Sequence, residues 1–162
     1  MAVQDGRFID EQVLQSLLDQ ECPIRLWVTT RDDNRNAAGA RTRVKRYGTS
    51  PYVLMMDNDI ILAKESIKRM VEFLEKNENY AAIAISKHQV PEGPNEVTIQ
   101  PHIDSAPVLW RLEDLQKITF EYRTQCECMA ACEDIRNMGK EIGFLNGIRA
   151  THIVNTRSPL IE

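Results

Sequence analysis

The sequence lacks a basic surplus, a long apolar run and a secretion signal. Twenty Lys and Arg residues face 24 Asp and Glu, for a net charge of -4. Proteins that grip nucleic acid usually carry excess positive charge to neutralise phosphates, so nucleic acid is not an expected partner. Arg41, Arg43, Lys45 and Arg46 form the one basic cluster able to serve an anion. No stretch approaches the ~18–20 apolar residues that span a bilayer. Residues 1–10 lack the basic-then-apolar order of a signal peptide. No transmembrane segment is expected, and a cytoplasmic location follows by default. The four cysteines, Cys22, Cys126, Cys128 and Cys132, are then expected to stay reduced. Three of them form a C-x-C-x3-C group inside a helical-looking segment. Zinc sites more often pair cysteines as C-x2-C, so buried thiols are the first reading and a metal or redox role the second.

What is present is an ordinary globular composition, 43% hydrophobic and 27% charged over 162 residues. That length suits one domain with a real core. Repeats and low-complexity tracts are absent, and element types alternate, which points to α/β layering. A helix is expected over 10–20, with Val13, Leu14, Leu17 and Leu18 on one face. Ile24, Leu26 and Val28 alternate as in a strand, and 36–46 reads as a helix stopped at Gly48. Residues 52–56 form a continuous apolar run, the mark of a strand buried on both faces. Ile67, Met70, Val71 and Leu74 have helical spacing, and 80–85 reads as another buried strand. Residues 87–105 read as an irregular excursion with a strand at 96–99. Further elements are a strand at 108–110, helices at 113–118 and 124–138 with Gly139 closing the second, and strands at 142–145 and 148–153 around Asn146-Gly147.

The sharpest local feature is Asp57-Asn58-Asp59, placed right after the apolar run of 52–56. Two carboxylates at the carboxyl end of a sheet strand lie where open α/β sheets take ligands. Their oxygens are hard donors suited to Mg2+ or Mn2+, ions that complete their shells with substrate phosphates. The alternative for a bare D-x-D triplet is a solvated turn, since turns favour Asp and Asn.

The stretch carrying Asn36, Gly39 and Arg41, followed by 52–59, resembles the core of GT-A glycosyltransferases, most closely the inverting family 2. Ser16, Leu17 and Gln20 are similar to that family's S-L-x-x-Q helix. The resemblance implies a Rossmann-like GT-A fold for nucleotide sugars: a compact three-layer α/β/α sandwich with a mostly parallel central sheet, one domain over 1–162. Residues 1–60 would be its nucleotide-binding half and 61–162 its acceptor and catalytic half. It implies that Asp57 and Asp59 hold the Mn2+ or Mg2+, with His152 completing the shell. Arg41, Asn58, Arg149 and Asp5 would lie about the nucleotide. A solvated helix arginine is the plain alternative for Arg41, and a strand histidine with a structural hydrogen bond is that for His152.

Phe120-Glu121 is similar to the turn that precedes the family's catalytic acid pair. The family's spacing, counted back from Gly139, lands on Glu127-Cys128, where a cysteine replaces the second carboxylate. A literal Glu-Asp pair sits at Glu133-Asp134, closer to Gly139 than the pattern has it. Glu127 is preferred by spacing and Asp134 by identity, and geometry decides whether a base reaches the acceptor hydroxyl. Trp110 stacks on a sugar face or is plain core. The implied partners are a nucleoside-diphosphate sugar and an unidentified saccharide, lipid or protein acceptor. So short a core could also be extended by a twin subunit in a homo-oligomer. The rival readings are a silent glycosyltransferase-like scaffold, motivated by Cys128, and a metal-dependent nucleotidyltransferase.

Overall fold

A computed structural model describes residues 2–3, 9–30, 37–86, 97–103, 107–121 and 126–153. The first helix, α1 (Glu11–Leu18), starts at Asp10, whose carboxylate accepts from the Gln12 amide at 2.9 Å. That bond satisfies one of the donors a helix N-terminus leaves unpaired. Only half of the expected apolar face is used: Val13 and Leu17 are buried, while Leu14 and Leu18 are exposed. The space goes instead to Ser16 and Gln20, two buried polar residues.

Their side chains bind α1 to β4 (Ile60–Leu62) and α3 (Ser66–Lys76). The Leu62 amide donates to Ser16 Oγ at 3.3 Å, and Gln20 Nε2 donates to Ala63 O at 2.9 Å. Gln20 Oε1 accepts from the Ile67 amide at 3.1 Å, capping α3, whose own N-cap Glu65 makes no side-chain cap. Helix α3 buries Ile67, Met70, Phe73 and Leu74. Each such side chain contributes about 1.5–3 kcal/mol when fully buried.

The main sheet has the order β3 (Tyr52–Met55), β7 (Val108–Arg111), β5 (Tyr80–Ala84), β8 (Glu141–Leu145) and β6 (Val97–Ile99). Strands β3, β5 and β8 share one direction, as expected. However, β7 enters in reverse between β3 and β5, and β6 runs antiparallel to β8, so only the β5–β8 pairing is parallel. The expectation of a mostly parallel sheet is corrected to that extent, because an apolar run marks a strand but not its direction. Strand β3 ends the sheet and is only partly buried along Tyr52, Val53 and Leu54, which corrects the reading of a strand covered on both faces.

Alternation along β5 and β7 sends side chains to two cores, the outcome expected of a sheet covered by helices on both faces. Tyr80, Ile83 and Leu109 join the core beneath α1 and α3. Ala82, Ala84, Val108 and Trp110 join the other, against α4 (Leu112–Leu115) and α5 (Glu127–Asn137). Ala82 lies opposite Trp110 and leaves room for its indole, which meets Phe120 edge-on at 5.9 Å. Trp110 is therefore core and not a sugar platform.

Helix α5 ends on Gly139, whose φ of 71° lets Lys140 N and Gly139 N cap Ile135 O and Arg136 O. The expected strand at 24–30 pairs only at β2 (Thr29–Thr30), parallel to β1 (Ala2–Val3), and Ile24, Leu26 and Val28 remain exposed. Among the described residues, Ala2 pairs with Thr29 and Val3 with Thr30. The last strand, β9 (Ala150–His152), leaves β8 and pairs antiparallel with β4. Among the described residues, no helix is long and apolar enough to cross a membrane.

Candidate functional site

The Asp57-Asn58-Asp59 turn joins β3 to β4 at the edge of the sheet. Met56 before it and Ile60 after it are buried, so the turn is anchored on both sides, while its three polar residues stay half-buried. The turn is tied again from β9, where the Ile153 amide donates to Asp59 O at 2.8 Å. Because Ile60 pairs with His152 in the β4–β9 ladder, the His152 ring arrives beside Asp59, with Nε2 3.2 Å from Oδ2. From the other side comes α2 (Ala37–Tyr47), whose Arg41 is buried with Nη2 3.5 Å from Asp57 Oδ1. An arginine that leaves water needs such an anion, since an unpaired buried charge costs several kcal/mol.

Three distant segments thus reach the D-N-D turn as two separate pairs, Arg41 of α2 with Asp57 and His152 of β9 with Asp59; among the described residues, Asp57, Asp59 and His152 do not bring three ligand atoms within 4.8 Å of one another. The donor set there, two half-exposed carboxylates and an imidazole, is chemically suited to a divalent ion such as Mn2+ or Mg2+. Asp59 and His152 are in contact, while Asp57 faces Arg41. All three side chains are partly exposed, so solvent reaches their ligand atoms.

Other expected site residues lie elsewhere. Arg149 is exposed at the far end of β9 from His152. Asp134, on α5, accepts from the Thr119 amide at 2.7 Å and lies near Lys45. Burial pushes the Lys45 ammonium below its ordinary pKa, Asp134 partly opposing this, and its Nζ donates to Ile118 O. Arg41 and Lys45 therefore serve two different anchors, and the basic run of 41–46 is not one anion patch. Glu127 opens α5. Its side chain, Asp5 and Asn36 lie outside the described residues.

The cysteines depart from the expectation of buried reduced thiols. Cys132 fits it: the residue is buried and desolvation raises its pKa. Cys126 and Cys128 instead meet in a disulfide, with His102 Nε2 against both sulfurs. The C-x-C spacing was visible in the sequence; the approach of His102 was not, because it comes from a separate segment.

An apolar cavity of about 320 Å³ lies away from these groups, between residues 22–27 and β3, and is lined by Ile24, Leu26, Tyr52 and Leu54 among others. None of Arg41, Asp57, Asp59 or His152 lines it. It is the seam left where the poorly paired 24–28 segment passes the edge strand.

Residues 10–150 match the model of glycosyl transferase family 2. No curated protein matches the chain. Among solved structures, it is similar to a mannosyltransferase from Pyrobaculum calidifontis in complex with GDP-Man and Mn2+, at 15% identity and a TM-score of 0.76. That likeness covers 97% of this chain and 57% of the mannosyltransferase. It is also similar to residues 1–349 of S. aureus TarS in complex with UDP-GlcNAc, with a TM-score of 0.61, 15% identity, and coverage of 92% of this chain and 56% of that one. A third, A197 from STIV, has a TM-score of 0.65 and 12% identity, covering 95% of this chain and 84% of its own. At these identities the likeness concerns the fold, and the chain spans little more than half the length of the first two.

Proposed function

The chain belongs to glycosyl transferase family 2 and has the GT-A fold, and from that premise we propose that it moves a sugar from a nucleoside-diphosphate donor to an acceptor hydroxyl with inversion. The observation that carries this reading is that one turn at the edge of the sheet holds two acid pairs, Asp57 with Arg41 and Asp59 with His152.

In this reading the diphosphate of the donor lies over the D-N-D turn. Asp57 and Asp59, with His152, would hold Mn2+ or Mg2+. Bound there, the ion supplies positive charge to the leaving diphosphate. Arg41 orients Asp57, and its own charge adds to the field at the phosphates. Asn58 offers an amide between the two acids.

Glu127 is the proposed base. It stands at the first turn of α5, while Asp134 is already engaged by the Thr119 amide. Glu127 takes the acceptor proton as the oxygen attacks the anomeric carbon opposite the diphosphate, and a single displacement inverts that centre. The mannosyltransferase with GDP-Man and Mn2+ supports a nucleotide-sugar donor and a divalent ion for this chain too.

Cys128 favours one second reading, a family member that binds without turnover, because it stands where the family pattern has a carboxylate. Nucleoside-diphosphate-sugar hydrolysis in the presence of manganese separates the two readings. The wild type is expected to release nucleoside diphosphate, and Asp59→Ala to reduce the rate by roughly 10²–10³, the loss typical of one electrostatic element at a reacting centre. Donor binding without any turnover in the wild type refutes the enzymatic reading. Equal rates in wild type and a folded Asp59→Ala refute the site.

A further inference from the structure

A second constellation sits at the opposite helix. Among the described residues, one group of three side chains has its ligand atoms within 4.8 Å of one another: His102, Cys126 and Cys128. His102 Nε2 lies 3.2 Å from Cys126 Sγ and 2.9 Å from Cys128 Sγ. Neither the family pattern nor the proposed sugar transfer uses these residues as ligands.

The geometry follows from the local chain. Cys126 is the N-cap of α5 with extended backbone (φ -150°, ψ 158°), and Cys128 lies in its first turn. The change from extended to helical backbone turns both side chains to one side, with Cα atoms 5.4 Å apart. His102 is fixed by its neighbours. Ile103 is buried in the core, Arg136 Nη1 donates to Pro101 O, and the Gln100 amide donates to Ile142 O at 3.4 Å. The imidazole is therefore brought to the two sulfurs by a backbone held on both sides.

We propose that, once its disulfide is reduced, the Cys126–Cys128 pair and His102 hold a zinc-class divalent cation at the N-terminus of α5. Opening the S–S bond takes two electrons and two protons: a dithiol supplies both and becomes a disulfide, while a phosphine supplies the electrons and becomes its oxide, water giving the protons and the oxygen. The cation then displaces the two thiol protons to solvent and takes the lone pair of the neutral imidazole. Two thiolates and one imidazole are borderline-soft ligands that select zinc over magnesium or manganese. Two thiolates balance its charge, and a helix N-terminus favours thiolate over thiol.

The distances suit the metal. In a tetrahedral zinc site a nitrogen and a sulfur ligand stand about 3.6 Å apart, given bonds near 2.1 and 2.3 Å. The imidazole contacts of 3.2 and 2.9 Å lengthen by about 0.4 and 0.7 Å to reach that value, and the two sulfurs part to about 3.8 Å once the bond between them is open. Cys126 and His102 are half-exposed, so the ion can enter and a fourth position stays open to water. Cys132, one turn further along α5, is buried and its sulfur is engaged at the Ile103 backbone, so it remains outside the set.

The test is a Co2+ titration of the whole chain, reduced with a phosphine and stripped with a chelator, followed by displacement with Zn2+. Thiolate-to-cobalt charge-transfer absorption is expected to saturate at one equivalent and to vanish on adding zinc. Cys128→Ser should abolish it. His102→Ala should weaken cobalt affinity by more than the roughly 10–100-fold that loss of an outer partner costs. Asp59→Ala should leave it unchanged, since carboxylates give no thiolate band. Absence of the band in wild-type chain with four free thiols by thiol titration would overturn the proposal, whatever the variants do. A band that survives Cys128→Ser would overturn it as well. Neither result bears on donor hydrolysis, so this site and the sugar-transfer reading stand or fall separately.

Discussion

Gln20→Ala is the perturbation that most directly tests how α1 is joined to β4 and α3. The Gln20 amide is buried and makes three hydrogen bonds: Nε2 to Ser16 O at 2.8 Å, Nε2 to Ala63 O at 2.9 Å, and Oε1 from the Ile67 amide at 3.1 Å. A typical bond contributes about 1 kcal/mol net, which puts the loss at about 3 kcal/mol. The Ile67 amide adds to this, because the first turn of α3 loses its cap and gains nothing from Glu65. For a chain of this size each kcal/mol lowers Tm by roughly 2–4 °C, so a drop of about 6–12 °C is expected. Thermal unfolding followed by circular dichroism measures it, with Leu18→Ala on the same helix as control. Leu18 is 68% exposed, and its truncation should shift stability by no more than about 0.5 kcal/mol. A Tm drop under about 2 °C for Gln20→Ala would refute the idea that this polar lock, rather than the apolar stripe of α1, joins the helix to β4 and α3.

Two further outcomes are expected. Asp114 is fully buried, with Lys140 Nζ 2.6 Å from its Oδ2 and Lys117 Nζ 3.4 Å from its Oδ1; Lys140→Met should cost about 1.5–3 kcal/mol by removing the shorter of these charged hydrogen bonds, and adding Asp114→Asn should recover part of it in urea unfolding. Tyr80 has its phenol pKa pushed up to about 12, first by burial and then by its hydrogen bond to Glu141. The folded state thus holds this proton more tightly than the unfolded chain, whose phenol titrates near 10. The resulting stability is complete below about pH 10 and lost as pH rises through 12. Tyr80→Phe should flatten that alkaline decline, and an unchanged slope between pH 10 and 12 would remove Tyr80 as its cause.

Much of the fold is legible in local pattern. The spacing of Ile67, Met70 and Leu74 marks α3, and all three are buried on it. Gly139 marks the end of α5 because only a residue tolerant of positive φ completes that cap. Less legible is which apolar residue of a short helix reaches the core. Leu14 and Leu18 follow the α1 period yet face solvent, because Ser16 and Gln20 find backbone partners across the interface and hold the helix in that rotation.

Element types, the family resemblance and the position of Asp57-Asn58-Asp59 after an apolar strand are local properties of the chain. These depend on neighbours a few residues apart, whose periodicity and turn chemistry can be read along the chain. Only the tertiary structure decided that β7 runs in reverse between β3 and β5, that β9 leaves β8 to bring His152 beside Asp59, and that His102 reaches Cys126 and Cys128. Strand order and direction are settled by which surfaces bury together, and that competition involves residues far apart in the chain.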